Sequence, residues 1–329
     1  MKRYNINFIG NFSLGYVGEK ADECILADAL EKLGHNVQRV PRDIWKAICD
    51  GEWQDQWEDF VPDSVVDINI ICKWHHFNNS KYASKLREDT QAPVFYWVWD
   101  YMFDAAIPQW HIEMINGSDL YLGNDVRVVD LYKEAGADIS KLYYFPFDVS
   151  DSAYDRVILP KKYDVVFFGS YVGQGDRIEW LKEINKSVPI KVFGWNWLEW
   201  GKNGFNAEPA VYGENFVNRV AESKIMLGFN VNDHCWGYWS NRTGKILTLG
   251  GFLLYRYVPG MELFLRNGTE YFSSPDEAIE KIKYFLEHDE EREKIAQRGY
   301  EIGRQRFTSE ARMTDLMILA DRYLKGAFK

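Results

Sequence analysis

The sequence predicts an α/β protein built as two doubly wound domains facing across a cleft. Three observations lead there. Short apolar runs alternate with helix-period segments along nearly all of the 329 residues. Many of these runs stop at a glycine or a polar residue, where a βα turn begins. The alternation breaks once, over 148–163, where Asp148, Ser150, Asp151, Ser152, Asp155 and Pro160 show no sustained period. The expected domains are therefore 1–155 and 156–308, followed by a terminal helix over 309–329.

In the first half, residues 4–9 alternate, are rich in Ile and Phe, and stop at Gly10, as a strand does. A polar loop over 11–20 follows. Residues 21–33 place Cys24, Leu26, Ala27, Leu30 and Leu33 at helical spacing and end at Gly34. Residues 35–40 are a second strand. This βαβ opening favours a parallel sheet with helices on both faces. Residues 65–72 form a strand, 81–88 a helix, and 94–99 an aromatic strand that runs into Asp100. Residues 120–123, 126–135 and 142–147 continue as strand, helix and strand.

The second half restarts the alternation. Residues 163–168 are a strand ending at Gly169 and Ser170, and 177–185 a helix. Residues 190–193 are a strand ending at Gly194. Helix 215–223, strand 225–229, helix 242–249 and strand 252–255 follow. Residues 261–265 make a short helix, and 276–286, 290–305 and 309–325 make longer ones. Open sheets of this kind bind ligands outside the carboxyl ends of their strands, so site residues are sought there.

Composition narrows the function. The chain is 46% hydrophobic and 27% charged, with 39 basic and 49 acidic residues for a formal charge of −10. As a whole it does not attract phosphate backbones or anionic lipid. Cys24, Cys49, Cys72 and Cys235 fit neither a zinc site nor a disulfide framework, and read as thiols of a reducing, cytoplasmic compartment. The N-terminus is too polar for a signal peptide, and no run of about 18 apolar residues could span a membrane. Aromatic residues reach 16%, with 13 Trp. The clusters at 195–197 and 236–239 carry Asn and Gly beside the rings. They suit packing and stacking on sugar faces equally.

Four segments could carry chemistry. Residues 168–177, FGSYVGQGDR, run from a strand into a glycine-rich turn and a helix start. Glycine lets the backbone approach an anion, and Arg177 adds a charged fork. This is neither a Walker sequence nor GxGxxG, and a purely geometric turn reads the same way. Residues 240–245, SNRTGK, put Arg242 and Lys245 on one helix face, where two cations suit a diphosphate. A solvated face with two ordinary charges has the same spacing. Asp100 ends the strand FYWVWD. Desolvation there would raise its pKa toward that of a general base, and a helix cap or an Arg partner is the alternative. In the loop 10–23, Gly15 and Gly18 give freedom, and Asp22 or Glu23 could face the cleft. Asp22 also fits an N-cap. His75 and His76 form a tandem pair, and no His spacing suits a metal, so none is expected. There is no GxSxG elbow.

The stretch from YWSNRTGKILTLGGFLLYRYVPG to GYEIGRQRFT resembles glycosyltransferases of the group 1, CgeB-like kind, which have the GT-B fold of two Rossmann-like domains. The order of elements agrees from about 163 to 310. FYWVWDYMFDAAIP, DVVFFGSYVGQGDR and VAESKIMLGFN followed by NRTGK more faintly resemble the DNA β-glucosyltransferases of T-even phages. The resemblance implies a nucleoside diphosphate sugar donor, UDP-linked, and no other cofactor. It implies Asp100 as the base in an inverting transfer. The donor then lies against Gly169, Ser170, Arg177, Gly194, Asn241, Arg242 and Lys245, with Gly15, Glu23, His75 and Trp99 on the acceptor side. It also implies that the terminal helix packs back toward the first domain. At the Lys245 position relatives often carry a Glu that holds the donor ribose, so this chain departs there. The acceptor is expected to be a glycan or small hydroxyl compound, or alternatively a hydroxymethylated base in phage DNA. A catalytically silent nucleotide-sugar-binding protein is the reading from another class.

Overall fold

The computed structural model describes residues 2–12, 21–72, 79–99, 107–124, 129–146, 149–172, 176–230, 233 and 235–327. The chain divides into two compact units, 1–147 with 313–329, and 148–312. The division falls at 147/148, at the start of the stretch where the sequence period fails.

The first unit is a six-stranded parallel sheet in the order β2-β1-β3-β4-β5-β6. Its strands are β1 (Asn5–Gly10), β2 (Asn36–Pro41), β3 (Ile68–Cys72), β4 (Val94–Val98), β5 (Leu120–Gly123) and β6 (Leu142–Tyr144). Helices α1 (Asp22–Lys32), α2 (Arg42–Cys49), α3 (Lys81–Thr90), α4 (Gln109–Gly117) and α5 (Val129–Glu134) connect them. β3 and β4 are buried along their whole length, as strands covered on both faces must be. Asp22 begins α1 and does not cap it; the cap position is Ala21. Asp22 and Glu23 instead place two carboxylates in the first turn, where the helix dipole favours them.

The second unit repeats the plan. Its strands are β7 (Tyr163–Phe168), β8 (Lys191–Phe193), β9 (Asn206–Glu208), β10 (Ser223–Gly228), β11 (Leu253–Arg256) and β12 (Glu270–Phe272), and their order is β12-β11-β10-β7-β8-β9. The helices are α6 (Arg177–Ser187), α7 (Trp197–Lys202), α8 (Gly213–Ala221), α9 (Arg242–Thr248), α10 (Met261–Leu265), α11 (Pro275–Glu287) and α12 (Asp289–Arg306). Alternation sorts β7 between two cores: Val165 and Phe167 join one, Val166 and Phe168 the other. The chain order reverses between β7 and β10. A crevice opens at such a switch point, at the carboxyl ends of the strands.

The last helix, α13 (Ser309–Leu324), starts in the second unit, and its residues from Met313 onward belong to the first. There Tyr4 donates a hydrogen bond to Asp321 at 2.7 Å, and Tyr323 meets Phe95 edge-on.

One buried cluster of the first unit predicts an acid response. His111 lies among Tyr96, Tyr121 and Tyr132, with Nδ1 3.3 Å from the Tyr96 hydroxyl. Burial pushes its imidazole pKa from 6.5 down to about 3. Above pH 6.5 both folded and unfolded chains hold it neutral. Between 6.5 and 3 only the unfolded chain takes up the proton, so stability falls as pH falls through that window. The difference between wild type and His111→Phe in urea unfolding should shift by about 2 kcal/mol toward the variant from pH 7 to pH 5. A pH-independent difference would show that His111 titrates normally in the fold.

Candidate functional site

At the switch point of the second unit lies a small recess, partly open to solvent. Phe168 at the end of β7, Gly228 and Phe229 at the end of β10, and Tyr255 of β11 form its base. Ser240, from the loop before α9, and Arg242 and Thr243, from its first turn, close it.

Local packing accounts for each wall. A Cβ on Gly228 would lie 1.9 Å from the Tyr255 ring, so only glycine lets Tyr255 cross the end of β10. The Tyr255 hydroxyl donates to Asn230 Oδ1 at 2.5 Å. That oxygen also accepts from the Ser240 backbone N–H at 2.9 Å, and Asn230 Nδ2 donates to the Tyr238 carbonyl at 2.8 Å. The buried Asn230 thus ties the loop that delivers Arg242 to the sheet. Trp236 fills the space over Gly260, whose φ is +90°, and Trp239 packs on Phe264 at 5.0 Å. These two tryptophans build the loop. Trp195 and Trp197 are the exposed pair, at 46% and 39%.

The turn after β7 follows directly on Phe168 of that lining. Gly169 donates to the Phe193 carbonyl at 3.0 Å and accepts from Trp200 Nε1 at 3.0 Å. Gly194 approaches so closely that a Cβ there would be 1.9 Å from the Gly169 carbonyl oxygen. Gly194 therefore shapes the turn by packing. Arg177, 3% exposed, donates from Nη2 to the Ser170 carbonyl at 2.9 Å.

The electrostatics of the recess are one-sided. Burial first, and the neighbouring Arg242 second, lower the Arg177 guanidinium from 12.5 to about 10. Burial also holds Arg242 below its ordinary value. Among the described residues no carboxylate pairs with either guanidinium; the groups that favour their charge are the phenols of Tyr238 and Tyr255. Arg177 Nε and the Thr243 hydroxyl are buried with no hydrogen-bond partner among the described residues. Buried cations without countercharge are costly, and an anionic ligand removes the cost.

The expected site residues separate as follows. Gly169, Ser170, Arg177 and Gly194 come together at the ends of β7 and β8, and Arg242 joins the recess from α9. Asn241 does something else: its Oδ1 accepts from the Val149 backbone N–H at 2.7 Å, which anchors the start of the unit. Lys245 is half-buried in α9 and outside the lining of the recess. In the first unit, Glu23 is buried and ion-paired with Arg42 at 3.2 Å, and Gly10 passes close against it. Its carboxylate has a structural partner. Trp99 is 6% exposed and packs edge-on against Trp97 at 5.2 Å, so it is core. Gly15, His75 and Asp100 lie outside the described residues. Asn230, Tyr255 and Thr243 are site residues that the sequence reading did not pick out. Gly228 before Phe229 and Asn230 repeats the strand-end glycine that marked Gly169, and was the available signal.

Among the described residues no group of three His, Cys, Asp or Glu could hold a metal ion. No helix there is long and apolar enough to cross a membrane, and none of the four cysteines is in a disulfide.

Residues 177–318 match the model of the family described as glycosyl transferase-like. No curated protein matches the chain. Among solved structures, a glycosyltransferase from Rickettsia africae aligns with a TM-score of 0.68 at 11% identity, covering 99% of this chain and 100% of its own. An Anabaena protein solved with UDP-glucose aligns at 0.62 and 12%, covering 97% and 100%. An α-glucosyltransferase solved with UDP and a 13-mer DNA containing an HMU base aligns at 0.67 and 13%, covering 97% and 100%. The chain therefore has the GT-B fold of these structures over nearly its whole length, and within it residues 177–318 are similar to the glycosyl transferase-like family.

Proposed function

We propose that the protein transfers a sugar from a nucleoside diphosphate sugar to an acceptor hydroxyl, with inversion. The observation that carries the donor class is the pair of neighbouring guanidiniums, Arg177 and Arg242, with no carboxylate partner among the described residues. Two positive charges match a diphosphate. As the bond from the anomeric carbon to the phosphate oxygen breaks, its electron pair moves onto that oxygen, and the same guanidiniums neutralise it. The buried Thr243 hydroxyl supplies a further donor. Gly169 and Ser170 form the wall, Lys245 adds an outer charge, and Gly194 and Asn241 act by positioning. Trp195 and Trp197 offer exposed rings for stacking on the base or sugar. Asp100 removes the acceptor proton while the acceptor oxygen bonds to the anomeric carbon.

A UDP-sugar is the proposed donor, on the likeness to structures solved with UDP or UDP-glucose. For the acceptor we propose a glycan or small hydroxyl compound, since the chain carries a net charge of −10. Likeness to a structure holding HMU-containing DNA favours a second reading, transfer to a modified base. A gel shift on modified and plain duplexes decides between them. DNA recognition through phosphates would weaken steeply with added salt.

Thermal unfolding with UDP, GDP, ADP and their sugars tests the donor. A ligand at 100 times its Kd adds about 2.7 kcal/mol of stability by mass action. If none of the panel raises Tm at millimolar concentration, the donor assignment fails. If a nucleotide-sugar binds and is never hydrolysed or transferred, the protein is a silent binder.

A further inference from the structure

A third arginine stands at the same strand ends, and its surroundings are the reverse of those of the first two. Arg256, the last residue of β11, is matched by two carboxylates. It holds Asp176 with both terminal nitrogens, one of them at 3.0 Å, and its Nε is paired with Asp233. Its guanidinium lies 3.7 Å from the centre of the Trp180 ring, and its side chain is 11% exposed. Arg256 pulls the Asp176 carboxyl below its ordinary range. A cation so matched within its own chain has little left to offer a phosphate.

The partners reveal its task. Asp176 immediately precedes Arg177. Asp233 follows three residues after Asn230, in the loop that delivers Arg242. One side chain therefore ties together the two segments that carry the unpaired guanidiniums. Those guanidiniums repel each other whenever no anion lies between them, and among the described residues that repulsion is opposed by no carboxylate, only by the Tyr238 and Tyr255 phenols, the Phe167 ring and the Arg177 bond to Ser170. Exposed ion pairs contribute little, but here Arg256 and Asp233 are largely buried, Asp176 closes the pair from the half-exposed side, and the guanidinium is stacked on an aromatic ring.

We propose that Arg256 is a positioning residue for the donor: it clamps the turn before α6 to the loop after β10 and so fixes the spacing of Arg177 and Arg242. The proposal rests on the reading of those two arginines as the diphosphate site.

Asp176→Asn discriminates by sign. Its carboxylate is 54% exposed, so the substitution should leave the fold intact. Removing a negative charge near a phosphate site would tighten binding if charge alone mattered. Loss of a clamp weakens it. Calorimetry with UDP, GDP and ADP should show Asp176→Asn weaker by about 3- to 10-fold, and Arg256→Met weaker by about 10- to 100-fold, for whichever nucleotide binds the wild type. Arg256→Lys should lie between, because an ammonium cannot fork to two carboxylates at once. In turnover, the donor KM should rise while kcat stays within about 3-fold of wild type. Unchanged or tighter binding by Asp176→Asn overturns the clamp, even if Arg256→Met fails to fold. A wild type that binds none of the three nucleotides overturns the diphosphate reading, and the clamp with it. A wild type that binds, with variants that bind equally, overturns the clamp alone.

Discussion

Arg242→Met should weaken nucleotide binding by about 10- to 100-fold while leaving the unliganded protein at least as stable as wild type. The two effects have one cause. In the recess Arg242 is half-buried, lies beside the buried Arg177, and has no carboxylate partner among the described residues. Its backbone N–H donates to Ser240 Oγ at 3.3 Å, and Met keeps that bond. Methionine also keeps most of the apolar stem and deletes the desolvated charge and its repulsion of Arg177. Hydrogen bonds to a charged group contribute about 1.5–3 kcal/mol, which sets the loss of affinity. Tm without ligand should be equal to wild type or a few degrees higher, since 1 kcal/mol moves Tm by about 2–4 °C in a chain of this size. Arg177→Met should lose affinity equally but gain less stability, because it gives up the bond to Ser170. Calorimetry and thermal unfolding on the same samples measure both. An Arg242→Met protein that binds the nucleotide normally, or one that unfolds several degrees below wild type, would mean that Arg242 is a structural cation.

The part of this site that could be read in the sequence is the part made by neighbours in the chain. Gly169, Ser170 and Arg177 follow one strand, and Arg242 opens one helix. A glycine at a strand end and a cation just after it are linear signals. Asn230 and Tyr255 are different. Their bond exists because β10 lies beside β11 and because Gly228 leaves room for the ring. In the sequence Tyr255 is one more aromatic of a buried strand. The Arg256 clamp is invisible for the same reason, since Asp176 and Asp233 stand far from Arg256 along the chain. Asn241 shows the opposite failure. It sits inside the right motif, yet its side chain faces Val149. The elements follow the same logic. Long periodic segments such as α11 and α12 were legible to within a residue or two at each end. The three-residue strands β9 and β12 were not, because NAE and EYF are too short to show a period. Helix α7, WLEWGK, was hidden by its Gly and its crowded aromatics. Trp200 is the informative one of that group, since it looks like its exposed neighbours and is fully buried against Gly169.

Asp100→Asn should lower kcat by about 10²- to 10⁴-fold and leave the affinity for the nucleotide within about 2-fold. The size follows from what a base contributes to proton removal. The selectivity follows from location in the chain, since Asp100 belongs to the first unit and the guanidinium recess to the second. The residue just before it is firmly held: Trp99 is buried, and its carbonyl accepts from Asn124 Nδ2 at 3.1 Å. Asparagine has the shape of aspartate, so the substitution tests charge and basicity and not volume. Kinetics with a transferable acceptor read kcat, and calorimetry reads binding. Turnover within about 3-fold of wild type would remove Asp100 as the base. The configuration of the product gives an independent check on the same assignment. Direct displacement by an acceptor oxygen, deprotonated on the face opposite the leaving phosphate, inverts the anomeric carbon. A product of retained configuration would mean that the acceptor approaches from the phosphate side. A phosphate oxygen, held by Arg177 and Arg242, would then be the nearest group able to take its proton. In that case Asp100→Asn should leave kcat nearly unchanged and Arg242→Met should lower it, so the two variants together identify which end of the reaction each charge serves.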